Sequence, residues 1–215
     1  MRSSIPVGPI GSRGSLGSLV ALSLLVSCAT ASPTVRLTDD WPTAIRAYPE
    51  VVAEWTRKAQ LSGDYQEVCE LVATLKSSEW RASHAVHDAE IRGLTGDARA
   101  KHVEQSRADV AGPYELEVMV TTWDRRENDL DRGKKSVWRV VLIDEQGQEI
   151  EPVEIVKDRR PTFVVRAEFP ALGEFAVPYI ARFARTAAIL GPAAKQVRLR
   201  MSSTRGGLEV RWTAP

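Results

Sequence analysis

The sequence is poor in the residues that most often carry cross-links and catalysis. It holds two cysteines and three histidines among 215 residues. So few thiols exclude a framework of several disulfides, and the fold must therefore rest on an apolar core. No apolar run reaches the roughly 20 residues that a membrane-spanning helix needs. A G-x-S-x-G elbow and a phosphate-binding glycine motif are also missing, so the sequence does not support a serine hydrolase of that type or a nucleotide-binding protein.

The amino terminus has the pattern of an export signal. Arg2 and Arg13 precede a short apolar segment at residues 16–26, and no acidic residue occurs before Cys28. A basic start followed by a short apolar core is typical of a secretory signal peptide. Removal of residues 1–27 would change the formal charge from +1 to −1. A nearly neutral mature chain argues against a nucleic-acid partner.

The end of the apolar segment resembles the lipobox of bacterial lipoproteins. The matching residues are Leu25, Val26, Ser27 and Cys28. The resemblance implies cleavage before Cys28, a thioether-linked diacylglycerol on its thiol, and a new amino terminus acylated with a fatty acid such as palmitate. The expected location is then a membrane-anchored lipoprotein of the cell envelope, and Ala29 in place of Asp favours the outer membrane, at its periplasmic face or on the cell surface. The alternative is an ordinary signal peptide that is cut nearby, with an incidental cysteine.

Composition and the positions of proline and glycine divide the chain into four predicted segments. They are a signal peptide at 1–27, a lipidated tether at 28–37, a mainly helical region at 38–111 and a β-sandwich region at 112–215. Within the helical region, apolar spacing predicts helices over 40–63 and 79–94, and a charged helix over 97–110. Residues 66–76 alternate in a way that suits a strand as well as a helix, and the clustering of Val and Thr favours the strand.

Period-two alternation dominates from residue 114 onward. Strands are predicted around 114–120, 136–144, 149–156, 162–169, 179–184 and 195–213, with hairpins at Gly147 and at 202–207. Such spacing predicts an α+β fold with an antiparallel β-sandwich, of which an immunoglobulin-like arrangement is one form, preceded by helices. The Cys…Trp…Cys framework of true immunoglobulin domains is absent.

Few side chains stand out as candidates for chemistry. If helical, His84, His87 and Asp88 share one face and offer two imidazoles and a carboxylate to zinc or copper, although the zincin spacing is absent. The preferred interpretation is an exposed polar helix face, and no metal or other cofactor is expected. The oxygen donors Asp124, Asn128, Asp129 and Asp131 resemble calcium ligands only in type, and their order is not that of an EF-hand. Cys69 is expected to be a small buried apolar residue.

Charge is distributed unevenly along the chain. Residues 157–215 hold 11 basic and 4 acidic residues. Arg198, Arg200 and Arg211 fall at outward positions of the last predicted hairpin, where they are candidates to bind an anionic envelope component. The alternative is a solvated face whose arginines pair with acidic strands and discourage edge-to-edge association.

These observations favour a lipid-anchored envelope protein that acts as a noncatalytic interaction or binding module. Its expected partners are the membrane, through the anchor, and an envelope protein or anionic envelope component. Two alternatives stay open: an envelope hydrolase with an unrecognised site, and a structural or assembly lipoprotein. A deep pocket that gathers His84, His87 and acidic groups would favour the hydrolase, whereas a flat basic or apolar surface would favour binding.

Overall fold

The structure, a computed structural model, describes residues 32–63, 67–186 and 188–215. The predicted signal peptide and the lipidation site Cys28 lie outside the described residues. Residues 32–215 belong to one compact unit. Two antiparallel sheets and several helices build this unit, which confirms the predicted α+β antiparallel sandwich.

Four α-helices occur in the described chain. They are α1 (Tyr48–Trp55), α2 (Ser78–Ile91), α3 (Gly96–Ala108) and α4 (Thr162–Glu168). The predicted helices over 79–94 and 97–110 are thus confirmed as α2 and α3. Ser77 accepts a hydrogen bond from the Trp80 amide at the start of α2, which satisfies one of the free donors of the first turn. No residue of α3 is buried, so this helix packs with little apolar surface.

The strands form a large sheet of five strands and a small sheet of four. In chain order they are β1 (Thr56–Ser62), β2 (Glu67–Leu75), β3 (Tyr114–Thr122), β4 (Arg139–Ile143), β5 (Glu149–Ile150), β6 (Pro152–Lys157), β7 (Val177–Phe183), β8 (Gln196–Ser203) and β9 (Gly206–Thr213). The large sheet has the order β1-β2-β3-β7-β6, and the small sheet has the order β5-β4-β8-β9. Within the segment 66–76, for which a strand is favoured over a helix, residues 67–75 form strand β2.

Alternation along β3 separates the two faces of the large sheet. Leu116, Val118 and Val120 face the core that the two sheets share. Glu115 and Glu117 occupy the opposite face. That second face is covered by helices, because helical side chains such as Trp80 and Phe169 join the same core cluster and lie beside Lys76, which pairs with Glu117.

The predicted helix over 40–63 is wrong at both ends. Only α1 is helical, and the chain becomes strand β1 from Thr56 onward. Val51, Val52 and Trp55 do form a buried helical face. Beyond them the backbone pairs with β2 in antiparallel register, and this ladder satisfies the backbone groups that a longer helix would have bonded internally.

The predicted strand over 162–169 is also wrong, because these residues form α4. Pro161 precedes the helix, and its carbonyl accepts hydrogen bonds from the amides of Val164 and Val165. Val165 and Phe169, four residues apart, are buried, whereas Phe163 is 75% exposed. A strand would have placed all three on one face. The burial follows the helical period, which a short apolar run cannot reveal by itself.

The first described residues of the chain lie beside β9. Val35 and Leu37, in the predicted tether, are buried, and the Val35 amide donates to the carbonyl of Thr213 at 2.9 Å. In the part of the chain that the structure describes, no helix has both the length and the apolarity to cross a bilayer.

Candidate functional site

The helix-covered face of the large sheet holds a cluster of charged side chains. We call it the buried charge network, and its members are Lys76, Glu115, Glu117, Asp158, Arg160 and Glu168. Lys76 Nζ lies 2.8 Å from Glu115 Oε1 and 3.3 Å from Glu117 Oε2. Glu117 is fully buried at the centre of the sheet, and both its carboxylate oxygens lack a hydrogen bond within the described residues. Burial raises the pKa of Glu117 to about 7, against the opposing charge of Lys76.

The other half of the network surrounds Arg160, whose side chain is 39% exposed and marks the outer edge of the network. Its guanidinium pairs with Asp158 at 2.6 Å and also with Glu168. Glu168 Oε1 lies 3.2 Å from His84 Nε2. Burial works against ionisation of both carboxyl groups, but hydrogen bonds from Arg160 to Asp158 and from His84 to Glu168 outweigh it and hold both pKa values below their usual range. Both carboxylates are therefore ionised and paired at neutral pH.

Aromatic rings border the network at Lys76 and His84 and stack on the two candidate histidines. His84 stacks on Trp80 with ring centroids 4.7 Å apart, and His87 stacks on Tyr48 at 4.9 Å. Asp88 pairs instead with Arg92 at 2.9 Å and with His102 at 3.0 Å. The predicted set of His84, His87 and Asp88 is therefore not assembled around one point. The described residues contain no group of three or more His, Cys, Asp or Glu that could hold a metal ion.

The acidic loop after β3 is likewise occupied by protein contacts. Asp124 pairs with Arg126 at 2.9 Å, and Asp131 pairs with Lys157 at 3.4 Å. Asp129 accepts hydrogen bonds from Ser136 and from the amide of Val137. These oxygens fix the loop to its neighbours and point to different partners.

The enclosed space that borders Lys76 is small. Two cavities between described residues have volumes of about 10 Å³ and 70 Å³. The smaller is lined in part by Lys76, Arg81 and Arg185, and the larger by Glu145, Gln146 and Ile189. Space of this size holds at most a few water molecules, whereas small-molecule sites usually span a few hundred Å³ or more. The buried charge network is thus better suited to fix the helices on the sheet than to admit a substrate.

Cys69 is also buried, only 1% exposed.

The second candidate site is the outward face of the small sheet. Cross-strand register places Arg198 beside Arg211 and Arg200 beside Glu209. All three arginines converge on this one carboxylate: Arg211 at 3.0 Å, Arg200 at 3.1 Å and Arg198 at 3.5 Å. We call this surface the arginine face and define it by Arg198, Arg200, Arg211 and Glu209.

Positive charge is in excess on the arginine face. Burial opposes ionisation of Glu209, but the hydrogen bonds from Arg211 and Arg200 prevail and hold its pKa below the usual range. One carboxylate therefore faces three guanidinium groups. Glu149 lies 3.7 Å from Arg200 but pairs more closely with Arg139, at 2.8 Å.

Two apolar residues beneath the arginine face were not anticipated from the sequence. Val141 and Ile143 point outward beside Arg200 and Arg198, yet they are only 0% and 2% exposed. Arg200 and Arg198 are their cross-strand neighbours, and arginine stems of this kind can pack on apolar surface while the charged ends stay in water.

Arg57 connects the arginine face to the entering chain. Its Nε donates to the carbonyl of Arg211 at 2.9 Å, and its Nη2 donates to the carbonyl of Pro33 at 2.6 Å. Sequence reasoning missed Arg57, because nothing local marks it as buried; it is 6% exposed. As a result, the described chain begins next to β9 and its arginines.

Comparison with known proteins adds no template for either site. No protein-family model, no curated protein and no solved structure matches the chain. Its function has to be inferred from its own residues.

Proposed function

We propose that this chain is a lipid-anchored protein of a bacterial envelope and that its folded part is a noncatalytic binding module. The lipobox residues 25–28 support the anchor. The observation that carries the binding role is the arginine face, where three guanidinium groups share one carboxylate on a partly exposed strand surface. A surface with uncompensated charge attracts a partner of opposite sign.

An envelope hydrolase is the second candidate, and the pair formed by His84 and Glu168 is the observation that favours it. A carboxylate that orients an imidazole is a common part of acid–base sites. However, Glu168 is also bound to Arg160, and His84 lies stacked on Trp80. These contacts show that the pair of His84 and Glu168 stabilises the packing of the helices, so the binding role is preferred to the hydrolase.

The anchor is tested by replacing the Cys28 sulfur with oxygen in Cys28→Ser. We expect the wild-type chain to lose residues 1–27 and to carry added acyl mass by intact mass spectrometry. We expect Cys28→Ser to keep its full length and to gain no acyl mass, because a hydroxyl is not the accepted nucleophile. Cys69→Ala is the matched control, since it removes the other, buried thiol and should be processed normally. A wild-type chain without acyl mass would refute the anchor.

The binding role is tested with Arg198→Gln/Arg200→Gln/Arg211→Gln. Cross-linking in cells should retain fewer envelope components on this variant than on the wild-type chain. Arg92→Gln/Arg126→Gln/Arg132→Gln is a control of equal net charge, with arginines that are 63%, 90% and 67% exposed elsewhere. Equal retention by all three proteins would remove the arginine face from the proposal.

A further inference from the structure

We propose that the arginine face docks on the anionic phospholipid headgroups of the membrane that holds the anchor. This inference rests on the proposed lipid anchor and names the partner of the arginine face. The ligand chemistry is that of phosphate oxygens, which guanidinium groups bind through paired, charge-assisted hydrogen bonds. Arg200 and Arg211 are 41% and 55% exposed, so their donors reach solvent.

The position of the entering chain places this face near the bilayer. Cys28 is five residues before Pro33, a separation that spans at most about 18 Å when fully extended. Pro33 and Arg211 are bound by the same guanidinium, that of Arg57. Neighbouring strands lie about 4.8 Å apart, so β8 with Arg198 and Arg200 is adjacent as well. An anchor on Cys28 would therefore keep the arginine face within a short distance of the headgroups.

Charge and shape fit a lipid surface as the occupant. One chain of ion pairs joins four arginines to three carboxylates and leaves a formal excess of one positive charge; its members are Arg139, Arg198, Arg200, Arg211, Glu149, Glu151 and Glu209. Electrostatic attraction in physiological salt extends only about 8 Å, so it acts on this face when the short tether brings it close. Register places the three arginines on the same side of the β8–β9 ladder, which suits a flat, repeating array of phosphates rather than one enclosed ligand.

Docking can be measured on the full lipidated chain in vesicles. A nitroxide is attached to Ser202→Cys on the outward face of β8, and a second protein carries it on Lys101→Cys of α3, which packs on α2 at the other side of the sandwich. The introduced thiol is the reactive one, because Cys69 is buried and Cys28 would carry the lipid. The probe membranes are pure phosphatidylcholine vesicles and vesicles with about one third phosphatidylglycerol. The readout is protection of the nitroxide from a water-soluble nickel relaxant.

We expect protection of the Ser202→Cys label in anionic vesicles only. One uncompensated charge near an anionic surface should shift the ratio of docked to free molecules by about fivefold. The shift should disappear in about 0.5 M salt and in Arg198→Gln/Arg200→Gln/Arg211→Gln, and it should persist in Arg92→Gln/Arg126→Gln/Arg132→Gln. The Lys101→Cys label should stay equally accessible in both vesicles.

The two proposals fail in different ways. Loss of the protein from neutral and anionic vesicles alike, with no acyl mass, would refute the anchor. Retention on both vesicles with identical accessibility of the Ser202→Cys label would overturn docking while leaving the anchor intact. Protection that survives removal of the three arginines would also overturn it.

Discussion

Glu117 shows how a single side chain can oppose the stability of the fold. It is fully buried, it lies 3.3 Å from Lys76, and its oxygens lack hydrogen bonds within the described residues. The ordinary pKa of 4.5 rises to about 7 on folding because burial penalises the charged form. Between these two values the native state binds a proton that the unfolded state has released. Stability should therefore fall as the pH rises through this window.

Glu117→Gln should remove this pH dependence. At about pH 8 the variant should be more stable than the wild-type chain by roughly 2–3 kcal/mol, because the neutral amide avoids the cost of a buried charge. The difference should vanish toward about pH 3.5, where the carboxyl group is protonated in both states. Denaturant unfolding at several pH values measures this effect.

Glu115→Gln is the matched control on the same strand. Burial disfavours its charge, but Lys76 outweighs that effect and lowers the pKa of Glu115. Its contribution to stability is present above its unfolded pKa and is lost as the pH falls through the folded value. Glu115→Gln should consequently destabilise the protein near neutral pH. The same sign for both variants would contradict this account.

Gly206 is a position where only glycine fits the backbone. Its φ is +131°, and an added Cβ would lie 3.0 Å from Leu61 Cδ1. Gly206→Ala should destabilise the protein by about 1–3 kcal/mol. Gly93→Ala, at φ +65° with open space around it, should cost only about 1 kcal/mol. Thermal unfolding ranks the two, and an equal or reversed order would show that the turn before β9 can change shape.

At the scale of elements, α4 illustrates how tertiary contacts choose between two local structures. Its sequence alternates well enough to predict a strand. In the structure Phe169 stacks on Trp80 at 5.7 Å, and Lys76 Nζ lies 5.5 Å from the Phe169 ring centroid. The Tyr48 hydroxyl donates to the carbonyl of Glu168 at 2.6 Å. These contacts hold one end of α4 against α1 and α2.

The helical form of α4 predicts unequal costs for its two phenylalanines. Phe169→Ala should destabilise the protein by about 3–5 kcal/mol, because a buried, stacked ring leaves a cavity. Phe163→Ala should change stability by about 0.5 kcal/mol or less, because its ring is 75% exposed. Chemical denaturation compares them. Similar costs would instead indicate the strand, in which both rings share a face.

At the scale of the whole molecule, the sandwich joins the two predicted regions into one core. Strand β2, before residue 111, pairs with β3, which follows it. The indole of Trp212 on β9 donates to the carbonyl of Trp55 at 2.8 Å. Residues 38–111 therefore supply two strands of the large sheet, whose other three strands come from residues 112–215.

This shared core predicts cooperative unfolding. Far-UV circular dichroism, which reports backbone structure, and tryptophan fluorescence, which reports Trp55 and Trp212 among others, should give the same midpoint. Two separated transitions would mean that the helical region and the sandwich region unfold independently. Trp123→Phe is the control. Trp123 is 72% exposed, so its fluorescence does not report on the core, and removing it should leave the fluorescence midpoint unchanged.

The sequence alone determined what depends on local periodicity. Alternation predicted β2, β3, β7 and the hairpin of β8 and β9. Helical spacing predicted α2, and the charged segment after it predicted α3. Outward placement of the three arginines followed from the hairpin. The tertiary structure decided where α1 ends, that α4 is a helix, that Lys76 meets Glu117, and that Arg57 joins the entering chain to β9. Periodicity tells which residues share a face, whereas the partner that covers a face comes from a distant part of the chain, and only folding brings the two together.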